Sequence, residues 1–257
     1  MLFRAPSVWA LLLSWRNWNI PTKLTAVTLV PVVFAIVLGA MQIADQVARA
    51  EAYRQVDRLV AVNEQLRPLV GALQQERTAT TALLAAGQAN IAALSKELAD
   101  EQHNTDVGRT ALLRAARRAT FHNEITSARF GEATNRLDEI AGLRTTITAG
   151  GVGAPTALVK YSVIIGALLN FDRAAAAEVI DPGLAGTAVA LHDLQMSTEE
   201  IRFQQALVDI GLARGGLAAP ELAELHSSIG RLADRTAEFR LDASPTQQQR
   251  SDRKSVV

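Results

Sequence analysis

The chain of 257 residues sets 26 lysines and arginines against 26 aspartates and glutamates, so it carries no formal net charge, and 49% of it is apolar. Without a basic excess, or basic residues interleaved with aromatics, it lacks the electrostatic footprint of a nucleic-acid binder. It contains no cysteine, which excludes a disulfide framework, a zinc-ribbon site and a thiol nucleophile. Aromatics make up only 5%, and the heavy use of Ala and Leu favours an all-α fold over strands.

Residues 1–23 hold all three tryptophans, Trp9, Trp15 and Trp18, in "WALLLSWRNWNIPTK". Tryptophan with Arg16 and Lys23 suits a short helix lying in a membrane interface. The next run, 24–43 (Leu24 to Ile43), is free of charge for twenty residues, and at ~1.5 Å per residue it matches a bilayer core of about 30 Å. Pro31 is compatible with this, because membrane helices tolerate such breaks where neighbouring groups satisfy the freed carbonyl. A cleaved signal peptide ending at "ARA" (Ala48 to Ala50) is the competing reading, but the apolar run exceeds the ~7–15 residues of a signal. Basic residues flank both ends of the run. The short N-terminal segment decides orientation, since long domains translocate largely regardless of charge. The expectation is a plasma-membrane anchor with a cytoplasmic N-terminus and an extracytoplasmic domain.

Residues 45–245 keep a helical period. Leu59, Val62, Leu66, Leu69, Val70 and Leu73 recur at three- and four-residue steps, with Pro68 predicting a kink or a turn, and Gly87 suits a helix C-cap. Further helices are predicted over 91–119 and 121–148. The stretch "TAGGVGAPT" (Thr148 to Thr156) concentrates glycine and proline and predicts the main internal boundary, giving halves of about 45–148 and 154–245. In the second half "DPG" (Asp181 to Gly183) predicts a turn. A helix over 191–212 follows, and then a last helix with Pro220 in its first turn, ending near Leu241. "ERTATTALLAAG" (Glu76 to Gly87) aligns without gaps with "EIRFQQALVDIG" (Glu200 to Gly211), a hint of an internal repeat.

The search for catalytic groups is empty. His103, His122, His192 and His226 fall into no metal-binding spacing, so no metal site, cofactor or enzymatic activity is expected of this chain. "GGVGAP" lacks the Lys-Ser/Thr of a phosphate loop, and Glu199 and Glu200, adjacent on a helix, point in different directions. Arginine remains. A guanidinium is planar, always charged and forked, and so fits a small planar oxyanion as well as a carboxylate. Arg77 lies in an alanine-rich segment beside Thr78, Thr80 and Thr81, whose hydroxyls can add donors. Arg144 in "AGLRTTITAG" and Arg202 in "EEIRFQQAL" are similar candidates. Each of the three also has a plain reading as a solvated or i±4-paired side chain.

The segments "SWRNWNIPTKLTAVTLVPVVFAIVLGA", "LVGALQQERTATTALLAAG", "IAGLRTTI", "YSVIIGALLNFD" and "ALVDIGLARGGL" together resemble the nitrate- and nitrite-sensing (NIT) domain of actinobacterial membrane sensor histidine kinases. The resemblance covers nearly the whole chain, and its most specific parts are "LQQER" and the "WRNW-IPTKL" entry to the apolar run. It implies two antiparallel four-helix bundles held outside the cell after a transmembrane helix, with a kinase core further on. In that pattern Arg77 matches the arginine of the first Leu-Gln-x-Glu-Arg motif, and Arg144 matches the Leu-Arg after the fourth helix. Two positions depart from it: Thr78 stands where glycine is common, and Gln205 stands where the second half usually has arginine. Arg202, one turn earlier on the same face, is the candidate to compensate.

The function so implied is sensing of nitrate or nitrite by a two-component sensor, through Arg77, Arg144, Arg202, Thr78 and Gln205. Its partners would be the membrane, a second copy in a homodimer, the kinase core and a response regulator. The alternative is a helical dimerisation or protein-interaction module without a small ligand. Residues 246–257 look like a truncated tail, and "DRKSVV" (252–257) resembles translated sequencing adapter, as expected of a reading frame cut at a contig end.

Overall fold

The computed structural model of the protein describes residues 20–86, 90–121, 123–178 and 182–242. The interfacial helix expected before residue 20, Gly87 and His122, and the tail at 246–257 lie outside them. Among the described residues the structure is all-helical: α1 (Ile20–Ala85), α2 (Ile91–Ala116), α3 (Glu124–Thr148), α4 (Ala154–Ala177), α5 (Pro182–Arg214) and α6 (Ala219–Asp242).

The chain divides into two compact units, Met1–Arg54 and Gln55–Val257. In the first, the described part of α1 leaves Leu29, Val32, Phe34, Ile36, Met41 and Ile43 exposed. Its apolar helical stretch is Pro31–Ala44. Among the described residues, one helix, Ala154–Ala177, is long and apolar enough by composition to cross a bilayer, and over half of its apolar window is buried in the protein.

The second unit is built on two clusters of apolar side chains. The larger takes Leu66, Leu69 and Leu73 from α1 and Leu112 from α2, with Leu137 and Ile140 from α3, and Ile165, Leu168 and Phe171 from α4. That is a four-helix bundle. At one end Phe121 and Phe130 meet Phe171 with ring centroids 5.5 and 5.2 Å away, the tilted and edge-on spacing that aromatic rings favour. The smaller cluster joins Ala154 and Leu158 of α4 to Phe203, Ala206, Leu207 and Ile210 of α5, with Leu84 and Ala85 of α1 and Leu225 of α6 against it. The same α4 and the end of α1 therefore serve both clusters.

The glycine-rich stretch makes a tight connection between α3 and α4. Gly150 adopts φ 74°, which glycine reaches without steric cost, and Gly151 N–H returns to Thr146 C=O at 3.0 Å. Pro155 then sits in the first turn of α4, where its missing N–H costs nothing. The helix that follows this connection packs mainly into the core of the helices before it. Gly215, at φ 82°, closes α5 by the same device, with Gly216 N–H bonded to Gly211 C=O at 2.8 Å.

Pro68 makes no turn: α1 runs through it without interruption. The reason lies in its placement. Pro68 is on the exposed side of α1, where a carbonyl robbed of its N–H partner can be hydrated, while Leu66, Leu69, Val70 and Leu73 keep the buried side packed.

Candidate functional site

Where α1 passes between the two clusters it turns from leucine to polar residues, and Gln74, Glu76, Arg77, Thr80 and Thr81 are all buried there. A buried charge persists only when paired and hydrogen-bonded. The structure meets that requirement with two separate ion pairs, one on either side of α1.

Arg77 is fully buried. Its Nη1 donates to Glu199 Oε1 at 2.5 Å and to Ser162 Oγ at 2.8 Å, and its Nη2 donates to Glu199 Oε2 at 3.2 Å. Gln74, one turn earlier on α1, donates to the same Oε2 at 2.8 Å. Arg77 thus ties α1 to α5 and α4. Its Nε finds no acceptor, although it is shielded from solvent.

Glu76, equally buried, faces the other way. Arg144 of α3 reaches it with Nε to Oε1 at 2.7 Å and Nη2 to Oε2 at 2.9 Å, and Tyr161 Oη donates to Oε1 at 2.8 Å. Arg144 Nη1 also donates to Asp106 of α2 at 2.9 Å and Nη2 to Gln102 C=O at 3.2 Å. Burial works against the charge on Arg144, but hydrogen bonds and attraction from Glu76 and Asp106 outweigh it and hold the pKa above the ordinary arginine value. Burial, reinforced by the Glu76 charge, pushes the Tyr161 phenol upward as well.

The five residues singled out from the sequence therefore do not form one cluster. Arg77 and Arg144 lie on neighbouring parts of the same polar layer, each holding a different carboxylate. Thr78 is half-buried and spends its hydroxyl on Gln74 C=O, 2.9 Å away. Arg202 is half-exposed and, among the described residues, makes no ion pair, while Gln205 is exposed. The part of α5 that meets Arg77 is Glu199, three residues before Arg202.

Glu199 and Glu200 do point in different directions. Glu200 accepts from Ser228 at 2.7 Å and from Arg231 Nε at 2.9 Å, both on α6. The aligned glutamates of the internal echo, Glu76 and Glu200, thus share a role: each takes an arginine from another helix. The arginine of the first segment has no such counterpart, since position 201 is an exposed isoleucine. Among the histidines, His192 is buried and its Nδ1 lies 2.9 Å from Asp172 Oδ2, a packing role between α5 and α4.

Sequence reasoning missed Glu199, Ser162, Gln74 and Tyr161 as parts of this layer. One signal existed: "KYSV" places two hydroxyls inside an otherwise apolar helix, and a buried polar group must have a partner. It also missed the groove of about 530 Å³ between α2 and α3, into which Arg109, Arg114 and Arg117 bring positive charge beside Arg144.

A family model described as nitrate and nitrite sensing matches residues 68–255, well over half of the chain. The structure is similar to that of the NasR transcription antiterminator, with a TM-score of 0.70 and 27% sequence identity, covering 81% of this chain and 57% of that one. The chain thus spans little more than half of that protein's length. No curated protein is significantly similar to it in sequence.

Proposed function

Since the chain belongs to the nitrate and nitrite sensing family, we propose that it is the input module of a membrane sensor histidine kinase and takes nitrate or nitrite at Arg77. The observation that carries the reading is the Arg77 guanidinium itself: fully buried, and gripping a planar carboxylate at the junction of α1, α4 and α5. A fork that holds a carboxylate in a dry site holds a planar oxyanion by the same charge-assisted bonds. Ligand-dependent shifts among these helices then pass along α1.

The membrane part of the proposal is supported by the charge-free run 24–43 and by the apolar side chains left exposed between Leu29 and Ile43. It puts the N-terminus in the cytoplasm and the helical domain outside, in a homodimer, with the kinase core and response regulator acting beyond this chain. NasR is a transcription antiterminator, so the same fold also serves other outputs, and the kinase assignment leans on the span.

Calorimetric titration of the detergent-solubilised full chain with sodium nitrate tests the ligand. Binding that disappears in Arg77→Ala is the expected result. No binding, or equal binding by the variant, overturns the anion role. The second reading, a helical interaction module without a small ligand, is favoured by one fact: Glu199 already occupies Arg77. Concentration-dependent association unaffected by nitrate would be its signature.

A further inference from the structure

We infer that Glu199 is the resident anion of the Arg77 site, and that ligand binding is an exchange in which Glu199 leaves Arg77 for Arg202. The inference rests on the proposal that Arg77 binds an oxyanion, and it names the event that turns binding into movement.

The electrostatics favour an exchange. Arg77 is the buried cation of this side of α1, and Glu199 already uses both of its Nη groups. A second anion added beside Glu199 would place two negative charges on one fully buried guanidinium, while the neighbouring Glu76 is already neutralised by Arg144. Like charges so placed repel strongly, and the weaker-held one must leave.

Glu199 is built to leave. Its side chain is 11% exposed against 0% for Arg77, so it sits at the rim of the buried layer and reaches water by a rotamer change. Its grip is also incomplete, because Arg77 Nε has no acceptor while Glu199 is in place. The site offers one more donor than the carboxylate uses, and a three-oxygen oxyanion can use it.

A place for the departing carboxylate lies one turn away on the same helix. Arg202 is half-exposed and has no ion-pair partner among the described residues. Glu at i and Arg at i+3 are surface neighbours on a helix, with the acidic residue N-terminal as the helix dipole prefers. In the resident state Glu199 fastens α5 to α1 through Arg77 and Gln74. After the exchange both ends of that fastening are gone, and the new ion pair lies within α5. Ligand charge thus becomes a loosened contact between α1 and α5. Arg202 acts by receiving Glu199, not by touching the ligand.

The test is calorimetric titration of the full chain with sodium nitrate, in wild type and five variants checked for retained helicity by circular dichroism. A resident competitor lowers apparent affinity by the fraction of time it occupies the site. Glu199→Gln, which keeps the side chain's shape and removes its charge, is therefore expected to bind nitrate roughly tenfold or more tightly. Gln74→Ala, which only loosens Glu199, shifts affinity the same way by less and carries the test if the first variant fails to fold. Arg202→Gln weakens binding several-fold in wild type and has no effect in the Glu199→Gln background. If wild type binds nitrate and Arg77→Ala does not, yet neither Glu199→Gln nor Gln74→Ala binds more tightly, the exchange is overturned and the sensor reading stands. If no folded form binds nitrate, both are overturned.

Discussion

Arg144 holds Glu76 side-on, with Nε on one carboxylate oxygen at 2.7 Å and Nη2 on the other at 2.9 Å, across the gap between α3 and α1. Glu76 is fully buried, so its charge depends on that fork. Arg144→Gln is expected to destabilise the fold by about 3–5 kcal/mol, the usual consequence of leaving a buried charge without its partner. Adding Glu76→Gln removes the stranded charge and should recover part of the loss. Urea denaturation of the two single variants and the double variant measures this. Additive losses would show that the two side chains do not act as a pair.

The hydroxyl that completes the Glu76 site gives a pH signature. Burial first, and the Glu76 charge after it, raise the Tyr161 phenol above its ordinary pKa. A group raised in the folded state stabilises the fold fully below its unfolded value, about 10 for tyrosine, and loses that contribution as pH climbs toward the folded value. The expected result is an ultraviolet titration in which Tyr161 stays protonated past the ordinary range and ionises only with alkaline unfolding. The chain has two tyrosines, so Tyr161→Phe assigns the signal. Reversible ionisation of Tyr161 near its ordinary value, with helicity retained, would contradict the buried contact.

The legible part of this molecule follows from periodicity and the rest from partnership. Leu66, Leu69 and Leu73 announce a buried helical face, the glycines of Thr148 to Thr156 announce a helix end, and the structure has both. Arg77 could be marked as unusual because a charge in an alanine-rich segment is unusual anywhere. That its partner would be Glu199 was not readable, since the two are 122 positions apart and nothing local distinguishes Glu199 from Glu200. Of the kink or turn that Pro68 predicts, the turn is absent, because α1 continues through it. Its local effect is real, but the solvent-facing side of a long, packed helix absorbs it. The Gly-Pro stretch at 148–156 was visible as a break in the chain and gave no sign that α4, just beyond it, supplies Ile165, Leu168 and Phe171 to the core before it.

Gly108 marks a close approach of α2 to α1. A Cβ there would lie 3.3 Å from the Cα and Cδ1 of Leu69, tighter than ordinary contact and against backbone that cannot move aside. Valine adds two methyl groups beyond that atom. Gly108→Val is expected to cost roughly 1–3 kcal/mol by overpacking, more than the helix gains from losing a glycine. A lowered denaturation midpoint with unchanged slope is the expected readout. An unchanged or raised midpoint would place α2 further from α1 than the structure has it.

Because α1 and α4 serve both apolar clusters, residues 55–257 should unfold as one body, not as two halves. Leu158 of α4 packs in the smaller cluster and Ile165, two turns on, in the larger; Leu84 of α1 lies against both. Losing either cluster exposes side chains of the helices that hold the other. Leu137→Ala in the first cluster and Leu207→Ala in the second each remove a buried leucine side chain, at a cost of about 2–5 kcal/mol. If the clusters are coupled, both variants move the same single transition in helicity, by comparable amounts. The measurement is denaturant unfolding followed by circular dichroism, with calorimetric and van't Hoff enthalpies compared as the check on cooperativity. Two resolved transitions, one sensitive to Leu137→Ala and the other to Leu207→Ala, would mean that the halves on either side of the Gly-Pro stretch fold independently. Glu199 and Arg77 would then join two separate domains, and an exchange at that pair would act on their relative placement without altering a shared core.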